Sequence, residues 1–422
     1  MNLSVTPASR LEGEVKAPAS KSYTIRAVAA AMLAEGTSII NDPLFSEDTK
    51  ACMLASQSLG AIIKRRENRL EINGVVGLPK KPTGIIDTLN SGTTIRLMTA
   101  IASLCQCKVT LTGDESIRKR PIEPLLDALK QVGVKAQSTK GCPPVTVEGP
   151  LLGGPCTIRG DISSQFISAL LMALPLAVKD STINITGDLK SRPYVDMTVD
   201  LLSQFKVIIR PQNHVQFIIP GDQMYKAAEY TVEGDYSSAA FILAAAALTE
   251  SRVTVRNLFS GSRQADKKIL AILQEMGADV SIGENEVTVT GTGRLHGIKA
   301  DLGNSPDLLP ITAVLGSLAE GRTLIHNTAH ARLKECDRIK AMAAELKKMG
   351  ADIKENPDGL DITGGRLKGT LLDSWRDHRI VMALAIAGLR AEGKTEIKDK
   401  EYVGVTFPGF VKAMTSIGAK ME

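Results

Sequence analysis

Helix-type and strand-type patterns of apolar positions alternate along this chain, and they do so in a repeating order. One segment type recurs: the end of a helix, a Gly-Ala-like turn, then two short strands of alternating apolar and polar residues. It reads LGAIIKRRENRLEING, VGVKAQSTKGCPPVTVEG, QFKVIIRPQNHVQFIIPG, MGADVSIGENEVTVTG and MGADIKENPDGLDITGG, with a shortened last copy, IGAKME. The turns fall at Gly60, Gly133, Phe205, Gly277, Gly350 and Gly418, spaced by 68 to 73 residues. A second landmark keeps step with the first. The strands SIIND, KVTLTGD, STINITGD, RVTVRN, TLIHNT and TEIKDK each come after a helix that ends in a polar or Gly turn. Two landmarks in phase predict six copies of one mixed α/β unit.

The sixth copy stops before its second strand, and the opening stretch LSVTPASRLEGEVKAPAS resembles the hairpin-and-strand stretches after the other turns. Residues 1–14 are therefore expected to complete the sixth unit. Three units then form an N-terminal domain over residues 15–230. Three more form a C-terminal domain from residues 1–14 and 231–422, with a hinge near 12–16 and 230–235. A chain of 422 residues is too long for one ordinary core, so two domains also suit its length.

Composition narrows the function classes. Aromatics make up only 4% of residues, which leaves little for base stacking, and a net charge of +5 does not call for nucleic acid. No apolar run reaches the roughly 18 residues that span a bilayer; the best stretch, Phe166 to Val178, is broken by Ser168 and Pro175. The opening residues lack a signal-peptide pattern. Six cysteines show neither a CxxC pair nor metal-ligand spacing, as for thiols in a reducing cytoplasm.

Candidate chemistry gathers at the helix starts. After its two strands each unit runs through another strand into a helix, at PASKSYTIR, NSGTTIR, DISSQF, GDYSSAAF, NSPDLL and RDHRIVM. Equivalent positions are Ser22, Thr93, Ser164, Ser237, Asp307 and His378, spaced by 70 to 73 residues. Ser, Asp and Pro are ordinary helix-start residues, and this suffices for Ser237 and Ser305. Cations there are not ordinary, because a helix N-terminus carries partial positive charge. Yet Lys21 occupies a first turn with Ser22 and Arg26 one turn apart, and Arg118, Lys119 and Arg120 precede Pro121 at an expected helix start. Lys334 and Arg338 open the helix ECDRIKAMAAELKKMG, and Arg379 comes directly after His378. Four such placements point to bound anions, phosphates above all, that reverse the local field. Asp307, Glu335 and His378 lie in the same segments. Asp307 is either a carboxylate favoured by the helix dipole or a catalytic group. Glu335 either pairs with Arg338 at i,i+3 or transfers protons, and His378 either caps its helix or binds substrate.

At these residues the sequence resembles the enolpyruvyl transferases along its whole length, and within them the branch that acts on shikimate 3-phosphate. KSYTIRAVAAAMLAEGT resembles that family's Lys-Ser helix, and LNSGTTIRLM its Asn-x-Gly-Thr segment with Asn90, Gly92 and Thr93. DESIRKRPIEPLLDAL, ISSQFISALLMALPLA, SRPYVDMT, NSPDLLP, ARLKECDRIKAMAAELKKMGA and DHRIVMALAIAGL come next in the family's order. The resemblance implies a two-domain inside-out α/β barrel built from six βαβαββ repeats, three per domain, closing over its substrates. It implies that the 5-hydroxyl of shikimate 3-phosphate attacks C2 of phosphoenolpyruvate while C3 is protonated, and that the tetrahedral intermediate then loses phosphate. Lys21, Ser22, Arg26, Ser163, Ser164, Gln165, Ser191, Asp307 and Lys334 would hold shikimate 3-phosphate. Lys21, Gly92, Arg120, Gln165, Arg338, His378 and Arg379 would hold phosphoenolpyruvate. Asp307, Glu335 and Lys21 are the proton-transfer candidates. No cofactor, metal, nucleic acid or membrane is implied, and a cytoplasmic monomer is expected.

Two departures stand out. Many members have Lys before the Thr-Phe-Pro near the C-terminus, where this chain has Val405, and His330 stands where a ligand-binding Asn often occurs. The sister reaction on UDP-N-acetylglucosamine usually goes with a Cys in the loop before Arg-Pro; GDESIRKRP has Glu115 and no Cys. A non-catalytic polyanion-binding repeat protein would need the cations but not Asp307 or Glu335. An RNA-end-processing enzyme would need a nucleotide-binding or His nucleophile signature, which is not present.

Overall fold

The alternating stretches fold as strands with one apolar face turned inward. In Arg252–Arg256, Val253 and Val255 are fully buried between exposed arginines, the pattern of a sheet solvated on one side. In this computed structural model, which describes residues 1–422, the strands form six four-stranded sheets in a mixed α/β fold.

Four sheets share a visible logic. A strand before a buried helix pairs in parallel with the strand after it, and a further pair of strands closes the other side. One such sheet runs Ile86–Asp87, Lys108–Thr112, Cys142–Glu148, Lys135–Thr139. In another, Leu3–Thr6 lies between Thr395–Ile397 and Lys420–Met421, antiparallel to both. The remaining two sheets take their parallel strand from far along the chain. Glu12–Lys16 pairs with Arg252–Arg256, and Glu229–Thr231 pairs with Thr37–Asn41.

The chain divides into a terminal unit, Met1–Pro18 with Glu233–Glu422, and a middle unit, Ala19–Val232. Glu12–Lys16, which the pattern placed at a crossing, lies within the terminal unit's sheet. Each unit has its own buried apolar cluster. Its centre is made of helices with little polar surface. Tyr236–Leu248 is buried along its whole length and Gly92–Ala102 likewise, the first rich in Ala so that neighbours approach closely. Amphipathic helices such as Glu123–Gln131 and Arg338–Lys348 bury one face only.

The recurrent turns work as helix stops. Gly60, Gly133, Gly277, Gly350 and Gly418 all have positive φ, between 92° and 104°, where a side chain would be strained. The third copy differs from the expectation. Phe205 is the C-cap residue of Arg192–Gln204, and the left-handed residue is Lys206, φ 64°. The glycine's place is thus one residue later than the hydrophobic pattern suggested.

Candidate active site

Helix caps aim the site residues. Ser20, Ser91, Ser163 and Asp377 stand at N-caps in extended conformation and accept backbone N–H groups of the first turn. Lys21, Gly92, Ser164 and His378 are then the first residues of their helices.

In the middle unit, Lys21 Nζ lies 2.9 Å from Asp48 Oδ2, both nearly buried. Arg26, one turn on, is 1% exposed. Its guanidinium donates to Thr198 Oγ1 at 2.8 Å, to the Ser22 carbonyl at 3.0 Å, to the Tyr194 carbonyl at 3.3 Å and to Ser168 Oγ at 3.5 Å. All four are neutral oxygens. Burial pushes its pKa down to about 10, against the smaller opposing influence of nearby tyrosines, so it stays charged at neutral pH. Thr198 in turn donates to Ser168 at 2.9 Å.

Gly92 is where a side chain is excluded by neighbours. A methyl group there would lie 2.2 Å from Arg120 Nη1 and 3.0 Å from Arg96 Nη1. Arg96 donates to Gln165 Oε1 at 2.5 Å, and Gln165 Nε2 donates to Thr93 Oγ1 at 3.0 Å. The middle unit therefore brings Gly92, Arg120 and Gln165 into one neighbourhood through Arg96. Ser163 accepts from the Gln165 N–H at 3.3 Å. Ser191 is buried at an N-cap with φ 55°, and its side chain does not cap the helix; such a conformation is uncommon for a non-glycine residue.

The terminal unit centres on Arg338, also 1% exposed, at the start of Arg338–Lys348. It contacts three carboxylates: Asp307 Oδ1 at 2.7 Å, Glu335 Oε2 at 2.6 Å and Asp377 Oδ2 at 2.7 Å. Asp307 also lies 3.4 Å from Lys334 Nζ and 3.0 Å from Arg379 Nη2. Burial alone would raise the Asp307 pKa. The combined charges of Arg379, Lys334 and Arg338 instead hold it well below the usual carboxylate range. Conversely, burial would lower the Arg338 pKa, but Asp377, Glu335 and Asp307 hold it well above the ordinary arginine value. Asp377 caps its helix by accepting from Arg379 N–H at 2.8 Å while binding Arg338. His378 is 1% exposed, with Nδ1 3.7 Å from Asp377 Oδ1.

Several placements differ from expectation. Asp307 sits in a 3-10 turn, Pro306–Leu308, before the α-helix begins at Leu309. Lys334 lies outside its helix, after the 3-10 turn Ala329–Leu333, because Asp337 caps three residues later. The helix after Pro121 begins at Glu123; Arg118 and Lys119 are exposed on a 3-10 turn, and only Arg120 is buried. The ion-pair reading of Glu335 with Arg338 is realised, and the cap beside His378 is Asp377. His330 is partly buried in Ala329–Leu333 and Val405 is 7% exposed.

Sequence reading missed Asp48, Arg96, Thr198, Asp377 and Asp266. Asp266, fully buried, accepts from Ser237 Oγ. Burial first, and the charge of Asp307 next, raise its pKa to about 6, against Arg379 and Ser237. Only Asp377 carried a signal, as the Asp before a helical run; the others touch partners 27 to 172 residues away.

No group of three or more His, Cys, Asp or Glu side chains is placed so that it could hold a metal ion. No helix is long and apolar enough to cross a membrane. The family described as EPSP synthase (3-phosphoshikimate 1-carboxyvinyltransferase) matches residues 5–414. A 3-phosphoshikimate 1-carboxyvinyltransferase of Methanocaldococcus jannaschii is 50% identical over 425 residues, covering 100% of this chain and 99% of the relative. One of Methanothermobacter thermautotrophicus is 48% identical over 424 residues, covering 100% of both. Among solved structures, an EPSP synthase from Acinetobacter baumannii superposes with a TM-score of 0.84 at 29% identity, covering 100% of this chain and 99% of that one.

Proposed function

The chain belongs to the EPSP synthase family, enzymes of enolpyruvyl transfer in the shikimate pathway, and from that premise we propose how its residues divide the reaction. The six sheets of common strand order support reading the fold as an inside-out barrel of six βαβαββ repeats, three per domain, with residues 1–14 joining the second domain. The substrates are shikimate 3-phosphate and phosphoenolpyruvate, and the enzyme works as a cytoplasmic monomer.

Shikimate 3-phosphate is held by Lys21, Ser22, Arg26, Ser163, Ser164, Gln165 and Ser191, with Asp307 and Lys334 from the terminal unit. Phosphoenolpyruvate is held by Lys21, Gly92, Arg120 and Gln165, with Arg338, His378 and Arg379. The observation that carries this division is Arg26: a fully buried guanidinium with four neutral acceptors at its N–H groups. A buried charge of that kind is compensated when an anionic ligand arrives.

The 5-hydroxyl adds to C2 of phosphoenolpyruvate and its proton passes to a carboxylate, while an acid delivers a proton to C3. In the second half, C3 returns its proton and the C2–O bond to phosphate breaks, giving the enolpyruvyl ether and inorganic phosphate. Asp307 is the base we favour, because its three cations keep it ionised. Those same cations make it a weak base while they remain on it. Phosphoenolpyruvate binding to Arg338 and Arg379 shares them with the substrate's own anionic groups, and the basicity of Asp307 rises when it is needed. Glu335 and Lys21 remain for the proton to C3.

Phosphate release with shikimate 3-phosphate and phosphoenolpyruvate, run beside UDP-N-acetylglucosamine and phosphoenolpyruvate, tests the reading. Release is expected only with the first pair. Release only with the sugar nucleotide, or with neither, overturns it.

A further inference from the structure

The helix Arg338–Lys348 carries a second buried acid whose contacts lead back to the site. Glu345 is 1% exposed and seven residues beyond Arg338. That spacing is two turns, so both side chains leave the same face about 10 Å apart along the axis. Glu345 Oε1 accepts from Trp375 Nε1 at 2.8 Å, and Oε2 accepts from the Asp373 N–H at 3.0 Å. Lys348 Nζ donates to both oxygens at 2.8 Å. Arg338 meanwhile holds Asp377 at 2.7 Å. One helix face thus grips the segment Asp373–Asp377 at both ends.

Between the two grips the backbone is in an unusual state. Trp375 and Arg376 are consecutive non-glycine residues with φ 50° and 54°, a conformation that persists only where surrounding contacts fix it. Those contacts are present. Asp373 Oδ1 accepts from Trp375 N–H at 2.8 Å, and Ser374 Oγ accepts from Arg376 N–H at 3.1 Å. Ser374 Oγ donates to Asp399 Oδ2 at 3.0 Å, itself a residue with φ 55°. The segment delivers Asp377 both to the N-cap of His378–Gly388, where it accepts the Arg379 N–H, and to Arg338.

We propose that Glu345 is a positioning residue for phosphoenolpyruvate, acting through the strained segment Asp373–Asp377 on Arg338 and Arg379. The proposal rests on the assignment of those two arginines to phosphoenolpyruvate. Trp375 is the only tryptophan of the chain, so its emission reports the segment alone.

Glu345→Gln keeps the shape but sets an amide N–H against the Asp373 N–H and Lys348. Losing hydrogen bonds to a charged group, it is expected to raise KM for phosphoenolpyruvate about 10-fold, with KM for shikimate 3-phosphate and kcat changed less than about 3-fold. In the substrate-free protein, acrylamide quenching of Trp375 is expected to rise about 2-fold as the segment loosens. Trp375→Phe removes one hydrogen bond and leaves the Glu345–Lys348 pair intact. It should raise the same KM about 3-fold and keeps the idea testable where Glu345→Gln fails to fold. An unchanged KM for phosphoenolpyruvate in folded variants overturns the proposal, as does an equal rise in both KM values. If the wild-type protein releases no phosphate from the two substrates, the functional reading falls instead, and the quenching result still decides whether Glu345 holds the segment.

Discussion

The two units bury one arginine each to the same depth and treat it in opposite ways. Arg26 in the middle unit meets neutral oxygens only, whereas Arg338 in the terminal unit meets three carboxylates. The first keeps a charge that no carboxylate shares, and the second shares its charge with three acids. On the proposed reading, the middle unit chiefly binds and the terminal unit reacts. The Lys21–Asp48 pair qualifies this, since it gives the middle unit one cation that is already engaged.

The contrast breaks most sharply at Asp307. Asp307→Ala is expected to lower kcat by roughly 100- to 10,000-fold, the range for a positioned acid–base group, while shikimate 3-phosphate still binds by calorimetry. Turnover like the wild type would remove Asp307 from the mechanism and the reactive role from the terminal unit. Next comes Arg26. Arg26→Ala should weaken shikimate 3-phosphate binding by about 10- to 100-fold, the worth of charged hydrogen bonds, with a smaller effect on kcat in saturated enzyme. A collapse of kcat alone would show that the middle unit does more than bind.

Gly92→Ala gives a smaller effect. The added methyl must displace Arg120 or Arg96, the ends of flexible side chains, so KM for phosphoenolpyruvate should rise about 10-fold with the fold intact. An unchanged KM would separate Arg120 from that substrate. The smallest effect concerns Asp266. Its folded-state pKa is raised to about 6, so ionising it in the fold is penalised. The penalty is absent below the ordinary Asp value near 3.9, grows as pH rises through about 6, and is complete above. Asp266→Asn should therefore stabilise the protein by roughly 1–3 kcal/mol at pH 7.5 and change it little at pH 3.5 in denaturant titrations. Equal effects at both pH values would count against the shift.

The helix starts that carry the site were legible in the sequence, whereas the contrast between the two arginines was hidden for a definite reason. The helix starts at Lys21, Gly92, Ser164 and His378 could be read because a capping residue and an apolar run are neighbours in sequence. The two strand exchanges could not. Glu12–Lys16 pairs with Arg252–Arg256, and nothing local distinguishes that from pairing nearby. The neutral cradle of Arg26 was equally hidden, since Thr198 lies 172 residues away and looks like any helix threonine. Arg338 stands in the sequence as a cation at a helix start, and the carboxylates that share its charge come from positions 307, 335 and 377. Charge balance inside a site is a tertiary property; local pattern reports only which groups are available for it.

The strand pairings also set a timetable for synthesis. The middle unit holds every strand of its sheets once Thr231 has left the ribosome, so it can reach its final form while the second half of the chain is still being made. Residues 3–6 cannot. They are made long before their sheet neighbours at 395–397 and 420–421, the longest loop closure in the molecule and the one expected last. A nascent chain halted near residue 390 should therefore carry a folded, protease-resistant middle unit beside an N-terminal segment still open to digestion.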